Sequence, residues 1–380
     1  MPLGVIARSW LRIGCTGFGG PPAHIALLRD LCVTRHEWLA EEEFEDSIAV
    51  TNLLPGPAST QLAILCAWRL GGPLGALIGG LCFIVPGLII ILALAALFLS
   101  AHAPLVVRGA AAGAGAAVAA VALHAAFGMA PGSWRRASGT AGQLRWMAYA
   151  VSGGLGAALV GPYLALVLVA CGLLEICFRV RPTRQRPPTR TAGILGPAVV
   201  ASGGLGALAW VALKVGLLSY GGGFVIVPLM QHDAVHTYHW MTTGQFLDAV
   251  ALGQITPGPV VQTVAVVGYA AAGIAGGLFA AAIAFAPSFA FVLLGARHFD
   301  RLRSDTKAQA FLTGAGAASI GAIAGSTLPL ALSLAEWWQV GVLVLATLCL
   351  LVLRRGVVSV LVGAGVVGMV AALFGLGLPA

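Results

Sequence analysis

Apolar residues run through this chain in long blocks that short polar segments separate. The segments 70–102 and 109–123 contain no Asp, Glu, Lys or Arg. A helix crosses a bilayer with about 20 apolar residues. The strands of an outer-membrane barrel alternate apolar and polar positions instead, and these blocks do not. The pattern therefore predicts an all-α, polytopic helical membrane protein of about ten spans, although several blocks are too short or interrupted to cross alone.

The blocks are organised as two copies of one unit. Trp38 and Trp240 are 202 residues apart, and the same shift carries Pro55-Gly56-Pro57 onto Pro257-Gly258-Pro259. After a slip of one residue, Pro86 matches Pro287. We therefore predict a first repeat over 1–178, a basic cytoplasmic linker over 179–192 and a second repeat over 193–380.

The composition narrows the class of protein. Hydrophobic residues make up 59% of the chain and charged residues 9%, against roughly 25% charged residues in soluble domains. This excludes a disordered chain, a nucleic-acid-binding domain and an ordinary soluble enzyme. The net charge of +8 comes mainly from short loops, as the positive-inside rule expects, so we predict no nucleic-acid partner. The seven cysteines show no C-x-x-C spacing, and we predict neither a metal nor a cofactor.

Equivalent loops of the two repeats carry opposite charge biases. The loop 297–307 has four Lys or Arg residues and its counterpart 101–108 has one, whereas 24–45 contains Arg29 and Arg35 and its counterpart 231–245 has neither Lys nor Arg. If charge sets orientation, the repeats are inserted upside down relative to each other. Inverted repeats are typical of secondary transporters, whose sites lie near mid-membrane between the repeats. A parallel duplication with accidental loop charges is the alternative.

Two cations interrupt apolar segments at equivalent positions, Arg12 and Lys214. A Lys or Arg at mid-span costs roughly 2.5–3.5 kcal/mol, which favours an anion site facing a cavity, unless the side chains reach the surface from a helix end. Glycine turns follow at Gly19-Gly20 and Gly221-Gly222. Glycine allows backbone amides to turn toward a ligand, although close helix packing also uses it.

The Pro-Gly-Pro motifs cannot continue a helix, because each Pro removes a donor and clashes with the preceding turn. Amides and hydroxyls flank both motifs, which indicates two discontinuous helices lining a site for a small oxyanion. The predicted substrate-binding residues are Arg12, Lys214, Gly19, Gly20, Gly221, Gly222, Asn52, Gln254, Gly56, Gly258, Thr60, Gln61, Gln262 and Thr263.

The acidic residues are candidates for helix caps, proton carriers and ion pairs. Asp46 and Asp248 are repeat equivalents at the start of the broken spans, and we interpret them as helix N-caps or as proton carriers. Glu175 is expected to pair with Arg179 at i, i+4. The sequence contains no H-E-x-x-H, G-x-S-x-G or P-loop pattern, so we predict that the protein is not an enzyme.

Several motifs together resemble the chromate ion transporter family in its long, two-domain form. They are Phe18-Gly-Gly-Pro21-Pro-Ala-His24-Ile, Trp38-Leu, Leu54-Pro-Gly-Pro57-Ala-Ser-Thr60-Gln61, Phe83-Ile-Val-Pro86-Gly87, Ser219-Tyr-Gly-Gly-Gly223 and Thr256-Pro-Gly-Pro259. The resemblance implies antiparallel halves in a multi-pass protein of the bacterial inner membrane. It also implies chromate export driven by the proton-motive force, and hence chromate resistance. Gly223 replaces the Pro of the first-half motif and Tyr220 replaces its Phe, so unequal contributions of the two halves are expected.

Other functions stay open at this point. The expected partners are chromate or a similar oxyanion and the lipid bilayer, and a homodimer is left open. Sulfate has nearly the same size and charge as chromate, so the protein could import sulfate instead. A channel could also be built from two broken helices. An intramembrane enzyme acting on a phospholipid or polyprenyl phosphate would need a nucleophile or general base, and none stands out.

Overall fold

The computed structural model describes residues 1–100, 103–137, 139–160, 163–179, 204–219, 225–295 and 305–378. Within these ranges the chain is helical and contains no β-strand, as the apolar pattern predicts. Most of the predicted linker, residues 180–192, lies outside the described residues, and so do Gly221 and Gly222. The predicted repeat boundaries therefore stay predictions.

The first repeat contains eight α-helices within the described ranges. They are α1 (Leu3–Thr16), α2 (Pro21–Arg29), α3 (Glu41–Thr51), α4 (Ala58–Phe98), α5 (Leu105–Ala116), α6 (Val118–Arg136), α7 (Gly139–Leu155) and α8 (Leu164–Arg179). A π-helical turn, Asp30–Arg35, extends α2, and a second one, Gly156–Val160, extends α7.

The second repeat has the same order of elements. They are α9 (Leu205–Leu218), α10 (Ile226–Gln231), α11 (Thr243–Ile255), α12 (Thr263–Gly295), α13 (Thr306–Leu332), α14 (Trp337–Leu351) and α15 (Val357–Leu373). The π-helical turn His232–Thr237 follows α10, 202 residues after its counterpart, and a 3₁₀ turn, Val260–Gln262, precedes α12. Helix α13 takes the place of α5 and α6 together.

Backbone bends are duplicated as well. Helix α4 bends at Gly71 and Gly72, and α12 bends at Ala272 and Gly273, with φ of 62° at Gly72 and 63° at Gly273. We call the parts before and after the bends α4a (58–70) and α4b (73–98), and α12a (263–271) and α12b (274–295). The Cβ of Ala67 in α4a touches Gly79 in α4b, so the chain folds back on itself at each bend.

The aspartates of the broken spans are not helix caps. Thr242 caps α11, where its hydroxyl accepts a hydrogen bond from the Gln245 N–H in a capping box, and Ala40 occupies the cap position of α3. Asp46 and Asp248 lie inside α3 and α11 because both helices begin before the apolar blocks do. The N-cap interpretation was therefore wrong for both residues. The proton-carrier interpretation remains for Asp248, which lines two cavities, whereas Asp46 lines neither of them.

The two repeats pack through equivalent helices that run antiparallel. Gly80 near the start of α4b contacts Phe289 near the end of α12b, and Leu92 near the end of α4b contacts Gly277 near the start of α12b. Helices α5 and α15 also pack closely, because Gly109 and Gly368 let the two backbones meet. The largest buried core cluster draws side chains from both repeats.

Four helical stretches of the described residues are long and apolar enough to cross a membrane, namely Ala58–Phe98, Leu105–Arg136, Val260–Gly295 and Thr306–Leu332. Shorter apolar helices are Leu205–Leu218, Trp337–Leu351 and Val357–Leu373. Large apolar side chains such as Leu159, Leu294 and Phe374 are exposed on the outside, which suits contact with lipid. The total of ten spans stays a prediction.

The predicted Glu175–Arg179 pair is confirmed and belongs to a larger network. The Glu175 carboxylate is buried and accepts hydrogen bonds from Arg179 Nε at 2.6 Å, from Arg145 Nε at 2.8 Å and from the Tyr149 hydroxyl at 3.1 Å. These contacts join α7 to α8 at one end of the first repeat.

Candidate functional site

Both Pro-Gly-Pro loops lie where the two repeats meet. The first joins α3 to α4a, and the second joins α11 to the 3₁₀ turn before α12a. Gly56 and Gly258 have φ of 111° and 96°, a region that residues with a Cβ rarely adopt. Proline on either side prevents a continuous helix. Four helix ends therefore converge here, and their terminal amides and carbonyls lack the intrahelical partners of a regular helix.

Each loop contacts the opposite repeat through its backbone. The Gly258 N–H donates to the Gly17 carbonyl at 2.9 Å, and the Pro257 carbonyl touches Gly87. In the other loop, a Cβ placed on Gly56 would lie 2.9 Å from the Gly216 carbonyl. The contact leaves no room for side chains, so a displacement of one repeat moves the loop of the other.

Two buried glutamines support these loops. Gln61 Nε2 donates to the Pro55 carbonyl at 2.6 Å, and Gln262 Nε2 donates across the repeat boundary to the Ile84 carbonyl at 2.7 Å. Both side chains are fully buried. Neither Oε1 atom has a hydrogen-bond partner within the described residues, so each glutamine has one polar atom left for a ligand or water.

Unpaired buried polar atoms are concentrated at this site. In the described part of the chain, the buried side-chain atoms without a partner are Thr60 Oγ1, Gln61 Oε1, Gln254 Nε2, Gln262 Oε1 and Ser288 Oγ. An unmet buried polar group costs about 1–3 kcal/mol, and native proteins contain few of them. All five lie in or beside the two loops. The two hydroxyls and the Gln254 nitrogen can donate a hydrogen bond, and the two glutamine oxygens can only accept one, which suits a hydrated or protonated oxyanion.

The two predicted cations have different surroundings. Lys214 is buried and forms an ion pair with the buried Asp233, so its charge is already compensated. Burial lowers the pKa of His232, the residue before Asp233. Arg12 is exposed on α1 and has no ion-pair partner among the described residues. An anion can therefore reach Arg12 directly, whereas it can reach the charge of Lys214 only by separating a buried ion pair.

His24 belongs to the same contact region. Its imidazole is fully buried, with Nε2 3.0 Å from the Gly17 carbonyl and Nδ1 3.4 Å from the Ser59 hydroxyl. The Gly17 carbonyl is the one that accepts from Gly258. A hydrogen-bonded chain therefore runs from Ser59 in the first repeat to the loop of the second repeat.

The remaining predicted residues are placed as follows. Gly20 lies beside Val260, while Gly19 in the same turn is exposed. Thr263 donates its hydroxyl proton to the Val260 carbonyl at 2.8 Å, so this hydroxyl can only accept. Asn52 is exposed at the end of α3, whereas its equivalent Gln254 is buried. Gly221 and Gly222 lie outside the described residues.

Sequence reasoning missed Ser288 and Asp233. The Pro86–Pro287 match was a usable signal for Ser288, because it aligns Ser288 with Gly87 and so places a hydroxyl in one repeat only. Asp233 was assigned to a polar loop, and the unmatched charge of Lys214 was the clue to a buried partner.

Comparison with known proteins identifies the family. The profile of the chromate transporter family matches residues 5–176 and 206–369, which is most of the chain in two blocks. The chain belongs to the chromate transporter family. No solved structure matches it.

Members of the chromate transporter family named as transport proteins align with nearly the whole chain. A chromate transport protein of Cupriavidus metallidurans is 31% identical over 95% of this chain and 91% of its own length. A chromate transport protein of Pseudomonas aeruginosa is 30% identical over 86% of this chain and 80% of its own length. A probable chromate transport protein of Synechococcus elongatus is 28% identical over 86% of this chain and 84% of its own length. Family membership and the apolar helices make this a multi-pass membrane protein with relatives that are transport proteins.

Proposed function

We propose that this protein is a secondary transporter that exports chromate, or a closely similar oxyanion, from the bacterial cytoplasm across the inner membrane. The observation that carries this proposal is the concentration of unpaired buried polar atoms at the two Pro-Gly-Pro loops, between the repeats. A binding site near mid-membrane and between repeats is what a secondary transporter needs. The names of the aligned relatives favour chromate as the anion.

In the proposed site, the donors of the two loops bind the oxygens of the anion. Thr60, Ser288 and the Gln254 amide supply hydrogen bonds, and the loop at Gly56 adds its backbone amide, whereas the Gly258 N–H already bonds to the Gly17 carbonyl. Gln61 and Gln262 accept hydrogen bonds from water or from a protonated oxygen of the anion. Gly20 and Thr263 border this group, and Lys214 contributes when its pair with Asp233 opens.

Inverted insertion of the repeats is part of the proposal, and the antiparallel packing of α4b against α12b supports it. Helix α4b leads from the bend at Gly72 to Phe98, and α5 and α6 return to Arg136. The face that holds the bend at Gly72 therefore also holds the end of α6, and we call it the basic face. The described arginines at or near this face include Arg29, Arg35, Arg69, Arg135, Arg136 and Arg179.

The basic face is the cytoplasmic one if the positive-inside rule holds, and this sets the proposed direction. Helix α1 begins at this face, where the Met1 amino group donates to the Leu70 carbonyl at 3.0 Å. Arg8 and Arg12 are exposed on one side of α1 and lead toward the turn at Gly19. A cytoplasmic anion therefore meets two arginines that have no ion-pair partner among the described residues on its way to the loops.

Flux into inverted membrane vesicles tests the proposal. Chromate uptake is measured with and without a proton gradient, with sulfate as competitor, and with vesicles lacking the protein as the blank. We expect saturable chromate uptake that increases with the gradient. Uptake that neither saturates nor depends on the gradient would indicate a channel. Sulfate uptake into right-side-out vesicles, without any chromate flux, would show that both the proposed substrate and the proposed direction are wrong.

A further inference from the structure

Asp248 is a half-buried carboxylate that lines two cavities beside α11. It lies in the second turn of α11, and no hydrogen bond or ion pair involves it within the described residues. The α11 segment from Phe246 to Leu252 is otherwise apolar, and Gly115 packs against the Asp248 carboxylate from the side of α5. An ionised carboxylate in such surroundings is costly unless water or a counter-charge meets it.

Two cavities meet at Asp248. The first has a volume of about 230 Å³ and is partly lined by polar residues, including Thr242, Thr243 and Gln339. The second has a volume of about 190 Å³ and is lined by apolar residues such as Phe98 and Met369. Asp248 lines both cavities, so its carboxyl group separates a polar space from an apolar one.

No other ionisable side chain competes for this position. Neither cavity is lined by another Asp or Glu, or by any His, Lys or Arg, of the described chain. The helices and turns packed against α11 do carry such groups elsewhere, namely Arg69, Arg108, His124, His232, Asp233 and His236, with Arg135 and Arg136 at the far end of α6. A proton that enters the polar cavity therefore finds one acceptor with a titratable carboxyl group.

The position of Asp248 connects it to the anion site. The apolar cavity extends along α11 to Ile255, and Thr256 then begins the second Pro-Gly-Pro loop. Asp248 and Ile255 are two turns apart, about 10 Å along a helix axis. Gln254, with its unpaired Nε2 atom, is on the same helix. A change in charge at Asp248 thus acts on the element that carries one side of the site.

We propose that Asp248 is the proton carrier that couples anion transport to the proton gradient. This rests on the proposed function. A hydronium ion in the polar cavity transfers a proton to the Asp248 carboxylate: one O–H bond of the hydronium ion breaks, an O–H bond forms on the carboxylate, and a neutral water is left. The neutral carboxyl group then tolerates apolar surroundings while the repeats move, and the same O–H bond breaks when water reaches Asp248 from the other side. One proton crosses, and no electron is transferred.

The polar cavity opens on the side that this mechanism requires. Its lining residues Thr242 and Ser333 lie at the start of α11 and just after the end of α13. Because α12b runs antiparallel to α4b, the start of α11 is on the face opposite the basic face. Under the proposed orientation that face is the outer one, from which the proton-motive force supplies protons.

The test uses the full chain in proteoliposomes, with Asp248→Asn compared with the wild type. The matched control is Asp46→Asn, the repeat-equivalent substitution. Chromate–chromate exchange without a gradient reports on binding and movement, and accumulation driven by a proton gradient reports on coupling. We expect Asp248→Asn to keep exchange within about twofold and to lose gradient-driven accumulation by more than about tenfold, with Asp46→Asn close to the wild type. Gradient-driven accumulation that survives in Asp248→Asn would overturn the proposal, and so would equal loss of exchange and accumulation in a folded variant.

A second measurement separates this inference from the proposed function. Infrared difference spectra of the wild type, recorded between acidic and alkaline pH, show the C=O band of a carboxyl group that gains a proton. Since the chain has 13 Asp and Glu residues, the diagnostic signal is the component of this band that the wild type shows and Asp248→Asn lacks, and we expect this component whether or not chromate is the substrate. If the wild type moved no chromate but kept this band, the proposed substrate would fail and the proton carrier would stand. Absence of the band in a folded wild type would refute the carrier.

Discussion

At the scale of single residues, the site is defined by side chains that lack partners. Ser288 is fully buried and its hydroxyl has no hydrogen bond within the described residues, although the hydroxyls of buried serines such as Ser319 donate to the preceding helical turn. A hydroxyl that does not form even this local hydrogen bond can bond to a ligand. The same holds for Thr60, whose hydroxyl has no partner.

Replacing Ser288 by Ala should weaken anion binding without destabilising the empty protein. A hydrogen bond to a charged group contributes about 1.5–3 kcal/mol, which corresponds to a Kd about 10- to 100-fold higher. The empty protein loses no hydrogen bond, so its Tm should be unchanged or higher. Chromate titration and thermal unfolding of the purified variant measure the two quantities.

Ser319→Ala is the matched control, because Ser319 is buried and its hydroxyl bonds to the Ala315 carbonyl at 2.8 Å. This variant should bind chromate as the wild type does. An unchanged Kd for chromate in Ser288→Ala would show that Ser288 does not bind the anion.

For the charged residues, the sequence predicts unusual positions but not the side chains that surround them. The unusual position of Lys214 was evident from the sequence, because a cation inside an apolar block is costly. Its partner Asp233 was not evident, since it is 19 residues away in a segment that the sequence pattern predicts as a loop. The depth of Asp248 was equally hidden, because its surroundings come from α5 and α15, which are distant in sequence.

At the scale of elements, the broken helices were predictable and their mutual contacts were not. Two prolines around one glycine exclude a continuous helix wherever they occur. Nothing in the sequence shows that the Gly258 N–H reaches the Gly17 carbonyl, since that contact depends on how two separate repeats dock.

Gly258→Ala should disrupt the second loop. A Cβ is strained at φ of 96°, and the left-handed backbone costs a residue other than glycine roughly 1–2 kcal/mol. The substitution should lower the Tm and reduce chromate transport several-fold, because the loop can no longer hold both the site and the Gly17 contact. Thermal unfolding and vesicle uptake measure these effects.

Gly363→Ala in α15 serves as the comparison for this loop variant, because its Cβ would meet no atom within 4 Å. It should leave transport intact and slightly raise helix stability. Equal transport by Gly258→Ala and Gly363→Ala would show that the loop geometry does not matter.

At the scale of the whole molecule, the duplication organises both the fold and the charges. From α1 to the start of α13, the order of elements, the π-helical turn after the second helix of each repeat and the backbone bend recur with a shift of 202 or 201 residues. The sequence predicted this from matching prolines, glycines and tryptophans. It predicted opposite orientations from loop charges alone, and the antiparallel packing of α4b and α12b is independent support.

Labelling of equivalent positions tests the orientation directly. Thr34 and His236 are repeat equivalents, and both are exposed in π-helical turns. With the exposed Cys15 and Cys177 replaced by Ser, Thr34→Cys and His236→Cys should react with a membrane-impermeant maleimide from opposite sides. Reaction from the same side in intact cells would mean that the repeats are parallel.

The antiparallel packing of the repeats has a consequence for the energetics of the cycle. If the halves were identical, exchanging their roles would convert the inward-open state into the outward-open state at no cost in free energy. The repeats differ at many positions, and three of these differences lie at or near the site: the Lys214–Asp233 pair exists in one repeat, Ser288 replaces Gly87, and Ile226 replaces His24. Under the proposed alternating access, such differences give the two end states of the empty carrier unequal free energies, so the carrier has a preferred resting side.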